Sequence, residues 1–95
     1  MFARLVTFTF GPGQQQAAET LAADLGPLIR SQPGCSSATF FGDGTDGEYG
    51  IFVLWETQAQ AGAAAAIVSP RLEQHLAGKV KGEPSRRLFE VIGAR

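Results

Sequence analysis

Few side chains of this 95-residue chain combine a reactive group with a placement that would use it. His75 is the single histidine, and the only side chain whose ordinary pKa lies near neutrality. It stands between Leu72 and Leu76, at the border of an apolar helical face. A histidine there either satisfies a hydrogen bond at the edge of the core or serves as a general base. Arg4 falls in an apolar N-terminal segment, on the alternation of Val6 and Phe8. A cation in that place must be paired or must face an opening, because burying it alone is expensive. Glu56 and Glu90 are candidate partners; the alternative is an anionic substrate oxygen held by a charge-assisted hydrogen bond. Trp55, the only tryptophan, ends an apolar run. It is either core or a pocket wall that stacks on a flat aromatic ligand.

Other polar groups carry less. Cys35 is the only cysteine, so neither an internal disulfide nor a multi-cysteine zinc site is available. It reads as a small buried hydrophobe; a nucleophile would need a basic neighbour, and none adjoins it. A disulfide across a dimer is the remaining alternative. Asp43, Asp46 and Glu48 have no calcium-loop spacing, and aspartates in a turn need no ion, so no metal site is expected. The segment GDGTDG precedes a strand rather than a helix, so it is no phosphate-binding fingerprint.

Composition limits the partners. The formal net charge is −1, from eight basic and nine acidic residues. Arg86-Arg87 is the densest basic spot, so neither nucleic acid nor an anionic membrane has an electrostatic footprint. The opening MFARLVTFTF lacks a signal-peptide pattern. The longest apolar stretch, AGAAAAIV at 61–68, is far too short to span a bilayer. A cytoplasmic protein of one domain, residues 1–95, is expected.

The elements that must position these groups follow from the patterning. FARLVTFTF, 2–10, reads as a strand, stopped by Gly11-Pro12-Gly13. In 14–32, Ala18, Leu21, Ala22, Leu25, Leu28 and Ile29 share one helical face, with Pro27 kinking the last turn. Pro33-Gly34 ends that helix. SSATFF, 36–41, is a second strand, GDGTDGE a hairpin turn, and YGIFVLWE, 49–56, a third strand. Thr57 with Gln60 forms a capping box before an alanine-rich helix to Val68. Ser69-Pro70 predicts a second cap, and a separate short helix follows with Leu72, Leu76 and Val80 inward. RRLFEVI, 86–92, is the last strand. The order βαββαβ predicts an α+β, ferredoxin-like fold: a four-stranded antiparallel sheet with both helices on one face.

A sheet covered on one face should alternate apolar and polar residues. Here Tyr49, Ile51, Val53 and Trp55 oppose Phe52 and Leu54, which are as apolar. In the last strand Leu88 and Ile92 oppose Phe89 and Val91. The uncovered apolar face predicts a homodimer formed through the sheet.

QPGC at 32–35, GIFVLWET at 50–57 and VSPRLEQHL at 68–76, followed by RRLFEVI, resemble the antibiotic-biosynthesis monooxygenase family of the dimeric α+β barrel superfamily. The likeness runs through nearly the whole chain. It implies two sheets packed face to face in a dimer, and a pocket between each sheet and its helices. Members include cofactor-free oxygenases acting on polycyclic aromatic phenols and haem-degrading enzymes. Trp55 matches the strand-end tryptophan. The asparagine that positions substrate or haem in active members has no counterpart, because the sequence contains no asparagine. By strand register, Arg4 falls near the place of that asparagine in the haem-degrading branch. The helix that carries the haem-ligating histidine there is alanine-rich here. Haem is therefore not expected as a cofactor, nor is any other group. His75 lies near a functional arginine of some oxygenases.

Together these readings give one functional expectation. A small phenolic aromatic enters the pocket, loses its proton to His75, is held as phenolate by Arg4, and is oxidised by dioxygen without a cofactor. Trp55, Phe8 and Phe40 or Phe41 would stack on the ring and exclude water. The rival expectation is a non-catalytic or ligand-binding protein of the same fold.

Overall fold

A computed structural model describes residues 1–93. The elements run β1 (Phe2–Thr9), α1 (Gln15–Arg30), β2 (Cys35–Asp43), β3 (Glu48–Trp55), α2 (Gln58–Leu76) and β4 (Ser85–Glu90). All strand pairs are antiparallel, in the order β2-β3-β1-β4. This is the expected βαββαβ, ferredoxin-like arrangement.

Strand alternation sorts the residues into two faces. Arg4, Val6 and Phe8 of β1 lie opposite Val53, Ile51 and Tyr49 of β3, and Phe2 lies opposite Trp55. On this face Val6, Phe8, Tyr49, Ile51, Val53 and Trp55 are buried. The two helices supply the other side of the core. Leu21, Leu25 and Ile29 come from α1, and Ala61, Ala64, Leu72 and Leu76 from α2. The residue spacing in α1 is three and four, so one stripe is buried while the rest meets water. The opposite sheet face carries Ala3, Leu5, Phe52, Leu54, Phe89 and Phe41, with no helix over it. Phe41, Phe52 and Phe89 are exposed, and Arg87 stacks over the Phe89 ring at 4.7 Å.

Two glycines let aromatic rings lie flat on the sheet. Gly42 is paired with Tyr49 on the inner face, and Gly50 with Phe41 on the outer face. A methyl group on either glycine would overlap the facing ring, so each ring takes the space that a side chain would need. The hairpin between β2 and β3 closes through Gly47, which has φ +75° and donates its N–H to the Asp43 carbonyl at 2.7 Å. Asp43 Oδ1 also accepts from the Thr45 N–H at 2.9 Å. The carboxylate of Asp43 is thus occupied in shaping the turn.

Several boundaries shift by one to four residues from the sequence expectation, α2 ending at Leu76 rather than at Val80, and two further differences matter more. The break at Ser69-Pro70 does not divide the second helical region; α2 is one helix through Pro70. Proline removes a single helical hydrogen bond, from its own nitrogen to the Ala66 carbonyl. Ala66 and Pro70 are both exposed, so the freed carbonyl lies on the water side of the helix. Inward, Leu72 and Leu76 continue the buried stripe and hold the helix in line. The last strand ends at Glu90, and Ile92 is 96% exposed beyond it, so Ile92 does not share a face with Leu88. Thr57 does cap α2, its Oγ1 accepting the Gln60 N–H at 3.1 Å. Among the described residues no helix is long and apolar enough to cross a membrane.

Leu25 is completely buried between the layers. Leu25→Ala is expected to lower the unfolding free energy by about 2–5 kcal/mol, from lost burial plus the cavity left behind. Denaturant unfolding of both proteins at one fixed concentration measures this.

Candidate functional site

The space between α2 and the sheet is not filled. The sheet presents Val6, Ile51, Val53 and Trp55, and α2 answers with Ala61, Ala64 and Ala65. A methyl group reaches too little way from a helix axis to meet the opposing strands, whereas Leu72 and Ile29 close the ends. The result is a cavity of about 100 Å³. Its depth is apolar: Ile51, Val53, Trp55, Ala61 and Ala64 are all buried. Exposure rises toward Arg4, Ser69 and Arg86, which mark its mouth.

Trp55 takes its place because β3 ends there. Glu56 donates its N–H to the Gly34 carbonyl at 2.9 Å, and Thr57 starts α2 at once. The indole is thereby fixed at the corner between sheet and helix, 3% exposed, as one wall of the cavity. Arg4 comes from the central strand β1, and its neighbours across the sheet are Val53 and Leu88. The expected partners Glu56 and Glu90 do not reach it: among the described residues no ion pair to Arg4 forms. Arg4 is instead one of the residues that line the cavity.

His75 is elsewhere. Its Nε2 lies 2.7 Å from Asp24 Oδ2 on α1, and it is absent from the cavity lining. Arg71 binds the same carboxylate in two places, Nη2 to Oδ1 at 2.6 Å and Nε to Oδ2 at 3.0 Å. This three-residue cluster ties α2 to α1. The expectation that His75 accepts a proton inside the pocket is corrected accordingly: its ring is engaged by Asp24 at the helix–helix boundary. The Arg71 guanidinium first, and His75 second, hold the Asp24 carboxyl below its ordinary value of 3.8. The same carboxylate pushes Arg71 upward.

The phenylalanines are also distributed differently from the expectation. Phe8 packs with Phe10 and Tyr49, with ring centroids 5.1 and 6.2 Å away. It lies four residues along β1 from Arg4, roughly 13 Å at the rise of a strand. Phe8 and Phe40 border a second hollow of about 320 Å³ under α1, and Phe41 reaches only its edge, with its ring on the outer sheet face over Gly50. None of the three lines the cavity beside Trp55. The second hollow is larger but is bordered by the exposed Gln15 and Glu19, and it contains no cation. A carboxylate at its edge would repel a phenolate. Cys35 is half-buried, and burial pushes its thiol up, which disfavours the nucleophilic thiolate.

Arg86 is the residue that sequence reasoning missed. It pairs with Val6 across β1–β4 and therefore lies on the cavity face, diagonal to Arg4. The signal was its spacing of two from Leu88 in the last strand. It contacts Glu73 of α2, Nη1 to Oε1 at 3.5 Å. Among the described residues no group of three histidines, cysteines or carboxylates is placed to hold a metal ion.

The antibiotic biosynthesis monooxygenase family matches residues 1–66 of the chain. No curated protein matches the sequence. Solved structures do match in fold. A crystal structure of an antibiotic biosynthesis monooxygenase superposes with a TM-score of 0.81 at 18% identity, covering 98% of this chain and 100% of that one. A protein of unknown function from Nitrosomonas europaea gives 0.83 at 21%, covering 99% and 91%. SnoaB, a cofactor-independent oxygenase from Streptomyces nogalater, gives 0.74 at 17%, covering 98% and 93%.

The Asp24 cluster has a pH signature. A carboxyl whose pKa is depressed by folding stabilises above its unfolded value and loses that contribution as pH falls through the folded one. Asp24→Asn is therefore expected to lower Tm relative to the parent above pH 3.8. The difference should close as both proteins are taken to lower pH. Thermal unfolding of the pair across acid pH tests it; a difference that persists undiminished in acid speaks against the cluster.

Proposed function

Because the chain belongs to the antibiotic biosynthesis monooxygenase family, we propose that it is a cofactor-independent monooxygenase acting on a small phenolic aromatic in the cavity beside Trp55. The observation that carries this reading is the cavity itself: apolar in its depth, walled by an indole, and bordered by Arg4, which has no ion-pair partner among the described residues. Such a site suits a flat ring that carries one oxygen able to become an anion. Arg4 would stabilise that anion by a charge-assisted hydrogen bond, favouring phenolate over phenol. Phenolate is the electron-rich form that dioxygen attacks.

The balance is simple. A phenol with a free ring C–H opposite its hydroxyl takes up one dioxygen and yields a quinone and one water. One oxygen atom becomes the new carbonyl, the other leaves as water, and the ring gives up two hydrogens. Among the described residues no imidazole or carboxylate lines the cavity, so the phenolic proton leaves to solvent through the mouth. His75 then has a positioning role only: with Asp24 and Arg71 it fixes α2 over the sheet.

The absence of an internal base favours a second reading, a ligand-binding protein of the same fold without catalysis. Oxygen uptake with single-ring phenols whose ring C–H opposite the hydroxyl is free, on protein stripped of metal ions, separates the two. The oxygenase reading expects uptake above the buffer rate. It expects Arg4→Gln to lose about 10–100-fold, the worth of a hydrogen bond to a charged group, Trp55→Ala to lose most of the rate, and His75→Ala to stay within about twofold at a temperature where it is folded. Uptake at the buffer rate supports the ligand-binding reading.

We also propose that two chains pair through the outer sheet faces. Phe52, Phe89, Leu54 and Leu5 form an apolar surface without a covering layer, which is the usual mark of an interface. Light scattering should give about twice the chain mass of 10.0 kDa. Phe52→Asp should shift the protein toward monomer, because it would place an unpaired charge in the interface. A monomer at micromolar concentration contradicts the pairing.

A further inference from the structure

The proposed oxygenase site holds more positive charge than a lone phenolate requires. Arg4 and Arg86 lie on the same face of adjacent strands, one diagonal step apart, and both line the cavity. Among the described residues no carboxylate lines it with them. Among the described residues the single acid in contact is Glu73, outside the lining, 3.5 Å from Arg86 and 64% exposed. Arg4 has no ion-pair partner among the described residues. Two cations beside an apolar chamber, with one long, solvent-facing counter-ion, leave an excess positive charge at the mouth. Like charges this close repel, and the apolar walls strengthen that repulsion. An anion from the ligand would relieve it.

Volume sets where that anion must be. An apolar cavity of about 150 Å³ takes up benzene, and the chamber here is about 100 Å³. It accommodates one ring at most. Any further part of the ligand lies at the mouth, among the arginines.

We propose that the ligand carries a fixed negative charge of the carboxylate class, seated on Arg86 at the mouth, while its phenolic ring enters the chamber and its phenolic oxygen faces Arg4. This rests on the reading of the cavity as the site of a phenolic aromatic, and adds the charge that the substrate must bear. Arg86 suits the role through its placement. It stands on the edge strand, its side chain is 35% exposed, and its one ion-pair partner among the described residues, Glu73, is exchangeable for a ligand carboxylate. Guanidinium and carboxylate match in a two-point hydrogen-bonded pair.

Trp55 supplies a readout that does not depend on catalysis. It is the only tryptophan, so the protein has one indole N–H signal in a nitrogen–proton correlation spectrum. Titration with 4-hydroxybenzoate and with 4-hydroxybenzyl alcohol compares the same phenol with and without the carboxylate. The acid is expected to move the indole signal saturably and to bind at least about tenfold more tightly than the alcohol. Arg86→Gln should remove most of that preference. Glu73→Gln should increase affinity for the acid severalfold, because it takes away the competing carboxylate. Both positions are exposed, and a retained spectrum verifies folding.

Equal binding of acid and alcohol, a preference unchanged in Arg86→Gln, weaker acid binding in Glu73→Gln, or no indole shift with either probe overturns the proposal. Its failure is distinguishable from that of the oxygenase reading. Oxygen uptake on neutral phenols without any carboxylate preference removes only this inference. A carboxylate preference without oxygen uptake removes only the oxygenase.

Discussion

An alanine side chain ends one carbon from its backbone, and α2 turns three alanines toward the sheet. The strands below them carry valine, isoleucine and tryptophan, but these do not reach far enough to fill the layer. The helix cannot settle closer, because Leu72 and Leu76 at its other end are fully packed and Trp55 props the corner where it begins. Protein interiors are normally close-packed, so a persistent gap between helix and sheet is the feature on which the functional reading depends. Larger residues at 61, 64 or 65 would give a conventional core and no chamber.

The gap also explains where charge is tolerated. Arg4 sits in the middle strand of the sheet, a position that should reject a cation. It is accommodated because the chamber opens beside it and leaves the residue only partly buried. Arg86 on the neighbouring strand shares that outlet. The acid–base groups of the helices lie apart from it. Asp24 gathers Arg71 and His75 at the boundary between α1 and α2, where they hold the lid of the chamber without entering it. The electrostatics of the molecule thus divide into a cationic mouth and a neutralised helix clamp.

The strand and helix order was legible because it rests on periodicity, which registers directly in residue type. Leu21, Leu25 and Ile29 at intervals of four could only be one face of α1, and the doubly apolar β3 showed that the sheet face turned away from the helices is also apolar along that strand. Pro70 misled because a proline looks like a start signal wherever serine precedes it. Whether the helix tolerates it depends on the exposure of Ala66, a tertiary fact. The site was legible only in part. Arg4 and Trp55 were found through their parity in strands, and both line the cavity. His75 was placed correctly at the edge of a buried stripe, but a one-dimensional pattern cannot show that Asp24, fifty-one positions away, takes up its ring. Phe8, Phe40 and Phe41 were grouped by chemistry alone. Strand register separates Phe41 onto the other face and carries Phe8 toward Tyr49.

If the chamber under α2 is where the ligand reacts, filling it should abolish the reaction without disturbing the fold. Ala64 is buried on the chamber wall, and Ala64→Leu places an isobutyl group where the ring would lie. The direct measurement is the oxygen uptake of this variant with a single-ring phenol whose ring C–H opposite the hydroxyl is free, compared with the parent protein at equal concentration. The account predicts uptake reduced to the buffer rate in a variant that still shows the parent's circular dichroism. Uptake equal to the parent's would place the reaction elsewhere on the molecule and contradict the account.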